Sequence, residues 1–146
     1  MDKLLRVING GTCYLLDHET QDRTELNFNG RMVVSKTATL WHAQINAGGA
    51  LYVYGFVGSV DVKRHGTIVV KKGGHVGFLI GNAESNVYIE KGGYVQDFHD
   101  NGCDLQNTGF IKSTVGFELC SQEWEQSYLS FLLKIYIAEL SSLRNY

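Results

Sequence analysis

The densest polar cluster in the chain is Asp97-Phe98-His99-Asp100-Asn101-Gly102-Cys103-Asp104. Asp97, Asn101 and Gly102 stand at the first, fifth and sixth positions of a helix-loop-helix calcium site. That site needs a bidentate Glu at the twelfth position, where this chain has Thr108. His99 and Cys103 are zinc-ligand types, but zinc takes a second pair at matching spacing and no such pair follows. Asp97, Asp100 and Asp104 are also the one dense acidic group from which carboxylate-driven polysaccharide cleavage would draw its pair. No second arm of a groove is visible in so short a chain. The cluster reads as a polar loop, with no metal and no cofactor. The five histidines, His18, His42, His65, His75 and His99, are scattered. A catalytic one would need a Ser or Cys within hydrogen-bond reach. They read as surface residues, so no catalytic residue is assigned and the chain is expected not to be an enzyme.

Residue types suited to binding are more prominent. Lys72 and Lys91 are 19 residues apart in equivalent surroundings, preceded by Lys71 and Glu90. Stacked lysines repel unless they are solvated or face an anion. Tyr14, Tyr52, Gly77 and Gln96 share one outward register. Tyr52, Tyr54 and Phe56 alternate along one stretch, and a straight strand there makes an exposed aromatic strip; a bend at Gly55 would instead fold Phe56 into the core. Aromatics are enriched at interfaces. Tyr52, Tyr54, Phe56, Lys72 and Lys91 are therefore the candidate partner-binding residues.

A repeat must position these side chains. The pattern is apolar, any, apolar, two residues, Gly-Gly, any, apolar. It reads Leu5, Val7, Gly10-Gly11, Cys13; Ala43, Ile45, Gly48-Gly49, Leu51; Ile68, Val70, Gly73-Gly74, Val76; and Val87, Ile89, Gly92-Gly93, Val95. Looser copies at Val60–Ile68 and Cys103–Ile111 keep only the second glycine, and Met32–Leu40 is degenerate. The last glycines are separated by 17 (49 to 66), 8 (66 to 74), 19 (74 to 93) and 16 (93 to 109) residues. A coil of about 17–19 residues with two or three short strands accounts for both spacings. Residues two apart face the same side of a strand, so each copy sends an apolar pair inward, and stacked coils align the pairs into ladders. Gly-Gly here makes turns and does not open a helix, so it is not a phosphate cradle.

This pattern predicts an all-β, right-handed β-helix of about five coils between residues 24 and 113, within a solenoid unit spanning 1–120. Residues 1–23 are expected to hold one good copy and an irregular, charged N-terminal cap. Residues 121–146 change period. Ser121 suits a helix N-cap, with Glu123 and Glu125 in the first turn. The segment from Trp124 to Leu140 is apolar over far more than one face. A helix there is expected to cap the solenoid and to pair with its copy in a homodimer, through Tyr128, Phe131, Leu132, Ile135 and Tyr136.

The chain has 146 residues, 17 glycines and no proline, which suits short strands joined by tight turns. A net charge of −2 argues against general nucleic-acid or membrane-surface binding. No apolar run reaches the ~20 residues of a membrane span. Three distant cysteines and the lack of an apolar leader point to a cytoplasmic protein with free thiols.

The Gly-Gly copies, such as Ile45-Asn46-Ala47-Gly48-Gly49-Ala50-Leu51-Tyr52-Val53 and Val70-Lys71-Lys72-Gly73-Gly74-His75-Val76, resemble the β-helix repeats of AIDA-type autotransporter adhesin passengers. The resemblance covers residues 43–96 and 5–16 and implies a β-helix; the family also implies surface-displayed adhesion. The chain is similar, more weakly, to bactofilins, small cytoplasmic β-helices that polymerise end to end. The leading expectation is a non-enzymatic protein-binding module, of the kind found in phage or mobile-element inhibitors of a host protein or nucleoprotein machine, including anti-CRISPR proteins. A glycan-binding adhesin or virion fragment is the first alternative and a polymerising scaffold the second.

Overall fold

The computed structural model describes residues 5–116. They form thirteen strands: β1 (Arg6–Ile8), β2 (Gly11–Leu15), β3 (Thr20–Leu26), β4 (Gly30–Val34), β5 (Thr39–Ile45), β6 (Ala50–Val53), β7 (Phe56–Val62), β8 (Thr67–Val70), β9 (His75–Gly81), β10 (Asn86–Ile89), β11 (Tyr94–Asp100), β12 (Asp104–Asn107) and β13 (Phe110–Gly116). The odd-numbered strands make one sheet and the even-numbered strands another. All ten pairings among β1–β12 are parallel, between one coil and the next. The result is an all-β solenoid of the right-handed type with six coils of two strands, β13 opening a seventh.

Most long strands turn partway along. In β7 and β9 the buried positions are the second, fifth and seventh, so the third and fourth residues both face outward. The third residue (Asp22, Trp41, Gly58, Gly77) has no partner in the ladder. This bend explains why the sequence spacing fitted either two or three strands per coil.

The core is a set of aligned ladders. One runs Ile8, Leu26, Ile45, Val62 on the long-strand sheet. Opposite it runs Met32, Leu51, Ile68, Val87, with Cys13 and Leu105 partly buried at its ends. At ~25 cal/mol per Å² these stacked aliphatic side chains supply the main driving force. No single coil covers its own apolar face, so the stability belongs to the stack.

The two glycines of the repeat do different jobs. The first takes a positive φ: 81° at Gly48, 87° at Gly73 and 90° at Gly92. His65 and Glu84 occupy the same place at φ 64°, at some cost in strain. The second lies against the preceding coil. A Cβ on Gly49 would meet the Leu26 carbonyl oxygen at 2.7 Å, and one on Gly66 would meet that of Ile45 at 2.8 Å. Close backbone approach therefore explains why the looser copies keep the second glycine and release the first.

Three expectations are corrected. First, the solenoid begins at Arg6 and has six coils, not five starting near residue 24. Thr20 to Arg23 are not part of an irregular cap but belong to β3, whose buried positions include Gln21 and Thr24. Polar residues at core positions hid this strand from an apolar pattern. Second, Leu5 and Val7 do not point inward; they are 50% and 46% exposed, and Ile8 is buried instead. Only Asn9 and Gly10 lie between β1 and β2, whereas four residues separate β5 from β6. A shift of one residue exchanges the faces of a strand. Third, Gly77 and Gln96 lie on the long-strand sheet and do not share a register with Tyr14 and Tyr52. The expected helix at 121–146 and its dimer contacts lie outside the described residues.

Candidate binding face

The two sets of turns differ in chemistry. Turns from long strand to short strand open with asparagine in five of six coils: Asn9, Asn27, Asn46, Asn82 and Asn101, with Lys63 between. Their amides stack. Asn46 Nδ2 donates to Asn27 Oδ1 at 2.7 Å and to Glu25 Oε2 at 3.2 Å, and Asn27 Nδ2 donates to Asn9 Oδ1 at 2.7 Å. Asn82 Nδ2 donates to Asp61 Oδ1 at 2.7 Å and to the Val62 carbonyl at 2.8 Å. The charges here are also paired, Arg64 with Glu84 at 2.7 Å and Lys63 with Asp61 at 3.0 Å. This asparagine edge satisfies its own polar groups.

The polar cluster at 97–104 belongs to this edge. Asp100 Oδ1 accepts from the backbone N–H of Gly102 (2.9 Å) and of Cys103 (3.2 Å), which closes the turn. Burial pushes the Cys103 thiol up to about 12, with Asp100 adding to the effect. Its sulfur sits over Gly81, where a Cβ would approach it to 2.7 Å. His99 packs edge-on against Phe78. Among the described residues no three His, Cys, Asp or Glu side chains gather as a metal cluster.

Turns from short strand to long strand form the opposite edge. The first residue of each long strand follows the turn directly and faces outward. Register stacks Phe56, His75 and Tyr94 there, and Phe110 continues the line. Trp41 meets Phe56 edge-on at 5.7 Å, Phe56 meets His75 at 5.3 Å, His75 meets Tyr94 at 4.6 Å, and Tyr94 stacks on Phe110 at 5.6 Å and 11°. Trp41 and Phe110 at the ends are 46% and 57% exposed; the three between are half-buried. The stretch is a continuous aromatic ladder crossing five coils. In the sequence His75 and Tyr94 each directly follow a Gly-Gly pair. Trp41, Phe56 and Phe110 joined them only once a shortened turn and the strand bend had been placed.

The expected strip of Tyr52, Tyr54 and Phe56 is not one strip. The chain bends at Tyr54-Gly55, so Phe56 opens β7 on the long-strand sheet while Tyr52 stays on β6. Phe56 does not enter the core, as the alternative reading of that bend had it; it joins the ladder. Tyr52 lies in an outward row of the short-strand sheet with Tyr14, Val33, Val69, Tyr88 and Gln106. Tyr54 lies in the turn.

Lysines flank the ladder. Lys36, Lys72 and Lys91 are exposed in three turns of this edge, at 35–38, 71–74 and 90–93. None has an ion-pair partner among the described residues, whereas Lys71 is held by Glu90 at 3.2 Å and its Nζ lies 5.9 Å from the Tyr54 ring centre. One turn between them is short. Only Tyr54 and Gly55 join β6 to β7, where four residues fill the other turns from β2 through β11. Gly55 is buried against the previous turn; a Cβ there would clash with the Ser35 and Ala38 carbonyl oxygens at 2.1 and 2.7 Å. The missing residues leave a notch of about 380 Å³ lined by Val33, Ser35, Lys36, Tyr54 and Lys72.

Beyond the strand bend, the long-strand sheet carries a second groove, also of about 380 Å³. Arg23, His42, Ser59 and Phe78 line it with Glu25, Gln44, Asp61 and Ile80. His42 Nδ1 is 2.7 Å from Ser59 Oγ, a pairing that coil stacking creates from residues 17 apart. A nucleophilic serine would need the far ring nitrogen of His42 held by a carboxylate. Among the described residues no carboxylate is bonded to it.

No protein-family model matches the sequence, and no curated protein matches it. A solved structure does. The chain is similar to the TibC-catalyzed hyper-glycosylated TibA55-350 fragment, with a TM-score of 0.53 and 22% identity over 76% of this chain. TibA is an AIDA-type autotransporter passenger, so the resemblance read from the Gly-Gly repeats holds at the level of the fold. The match spans 47% of that fragment. The expectation of a host-machine inhibitor gains no support from this neighbour.

Proposed function

We propose that this solenoid is a non-enzymatic binding module of adhesin type, and that it recognises an extended carbohydrate chain along the aromatic ladder. The observation that carries this reading is the ladder itself. Four outward ring contacts, all between 4.6 and 5.7 Å, make one apolar strip beside polar turns. Sugar rings present apolar C–H faces and polar rims, and aromatic side chains with polar neighbours complement both. Coils rise by ~4.8 Å, close to the length of one pyranose ring, so successive sugars would meet successive side chains. Consecutive rings touch, which leaves no slot for a nucleobase to enter and stack.

The groove beyond the bend, with its Arg, His, Gln and carboxylate side chains, supplies further hydrogen-bonding partners for sugar hydroxyls. An inhibitor of a host protein would use the same strip against a protein surface. A glycan array probed with the intact chain and with Phe56→Ala/Tyr94→Ala separates the two. Carbohydrate ligands that the double variant loses support the proposal. Absence of any carbohydrate ligand, with capture of a defined protein complex through the same residues, replaces it by the inhibitor reading.

A further inference from the structure

We propose that the notch over Tyr54-Gly55 is an anion site, and that it seats a tetrahedral oxyanion, the sulfate or phosphate ester of an acidic glycan. The placement on a glycan rests on the carbohydrate reading; the anion site does not. Three observations meet at this place. The turn is two residues shorter than its neighbours and Gly55 is drawn inward against Ser35 and Ala38, which recesses the surface here. Lys36 on one side and Lys72 on the other line the recess, and neither ammonium has a carboxylate partner among the described residues. Glu90, in the next turn, is engaged by Lys71, whose Nζ also lies near the Tyr54 ring, and among the described residues it makes no ion pair with Lys72.

Lys36 and Lys72 thus border one recess without an acidic partner among the described residues, on a chain of net charge −2. An anion between them removes their mutual repulsion and gains two charge-assisted hydrogen bonds. Ser35, also lining the notch, brings a hydroxyl donor and Tyr54 a phenol donor. The position relative to the ladder completes the argument. Tyr54-Gly55 leads directly into Phe56, so the notch lies beside the ladder, within reach of a substituent on a chain bound there.

The test uses the full chain, labelled for NMR, titrated with inorganic sulfate against chloride at matched ionic strength. Saturating shifts are expected at the amides of Ser35, Lys36, Tyr54 and Lys72. Lys36→Gln/Lys72→Gln should weaken them at least tenfold, and Lys112→Gln should leave them unchanged. No saturating shift at the notch, or an equal loss in Lys112→Gln, overturns the anion site. A second arm compares dextran sulfate oligosaccharides with unsulfated dextran of equal length. At least tenfold preference for the sulfated chain, removed by the double lysine variant, supports the proposal. If inorganic sulfate seats but neither oligosaccharide binds, the carbohydrate reading falls and the site is one for a free anion. If dextran binds along the ladder and sulfation adds nothing, the carbohydrate reading stands and the assigned role of the notch falls. A single-stranded oligonucleotide that binds tenfold more tightly than dextran sulfate overturns the glycan as the source of the anion.

Discussion

The two turn edges of this solenoid are built from the same repeat and have opposite chemistry. On the asparagine edge the amides of Asn9, Asn27 and Asn46 bond to one another, and Lys63 and Arg64 are paired with acids. On the lysine edge Lys36, Lys72 and Lys91 have no ion-pair partner among the described residues, and an aromatic ladder runs beside them. An edge whose polar groups face inward along the stack is a device for holding coils in register. An edge whose charges and rings face solvent is available to a partner. In a repeat protein the departures from the repeat are therefore the informative places. Here the departures on the lysine edge are two turns of only two residues, Tyr54-Gly55 and Thr108-Gly109, and the first lies between Lys36 and Lys72.

The comparison can be broken most sharply inside one turn of the lysine edge. A Cβ at Gly74 would stand 2.2 Å from the Val53 carbonyl oxygen, whereas Gly73 has open space and φ 87°. Gly74→Val should cost about 3 kcal/mol or more in urea denaturation, and Gly73→Asn about 1 kcal/mol or less. Equal losses would mean that the second glycine does not mark close coil contact. Next in size, Asn46→Ala removes an amide shared by two acceptors and should cost about 1–3 kcal/mol. Phe56→Ala, on the opposite edge, should cost about 1 kcal/mol in stability while weakening carbohydrate binding severalfold. If Phe56→Ala proves the more destabilising of the two, the ladder is mainly structural and the contrast between edges fails.

A smaller effect of opposite sign is expected at Thr24. Its hydroxyl is buried without a hydrogen-bond partner among the described residues, in a ladder continued by Ala43 and Val60. Thr24→Val should raise stability by about 1 kcal/mol in the same assay, because it removes an unpaired polar atom at constant shape. Cys103 acts only at alkaline pH. Its folded value of about 12 lies above the ordinary 9.0, so the folded state holds the proton more tightly. The stability this contributes is present below pH 9 and is lost as pH rises from about 9 towards about 12. Alkylation of Cys103 at pH 8 should be slower than that of a free thiol, and Asp100→Asn should speed it.

Much of the fold was legible because Gly-Gly and paired apolar residues carry their own geometry. Ala43/Ile45, Ile68/Val70 and Val87/Ile89 are buried as the pattern requires, and coils of 17 to 19 residues follow from the register. The first coil was read one residue out of phase because its turn is short, and β3 was missed because Gln21 and Thr24 occupy core positions. The geometry of the candidate face was half legible. Lys72 and Tyr54 do line one recess, and His75 and Tyr94 do stack. Trp41, Phe56 and Phe110 could not be added to that row from spacing alone, since the intervals between them depend on turn lengths that only the register reveals. The asparagine ladder had a signal, Asn at 9, 27, 46, 82 and 101, but no apolar pattern points to it.

The central claim is that the lysine edge binds and the asparagine edge holds the stack. The most direct measurement is oligosaccharide binding by three proteins side by side: the intact chain, Phe56→Ala/Tyr94→Ala, and Asn46→Ala, each checked for folding by circular dichroism. The account predicts full binding by Asn46→Ala despite its lower stability, and at least tenfold weaker binding by the folded ladder variant. Binding lost in Asn46→Ala and kept in Phe56→Ala/Tyr94→Ala would contradict it.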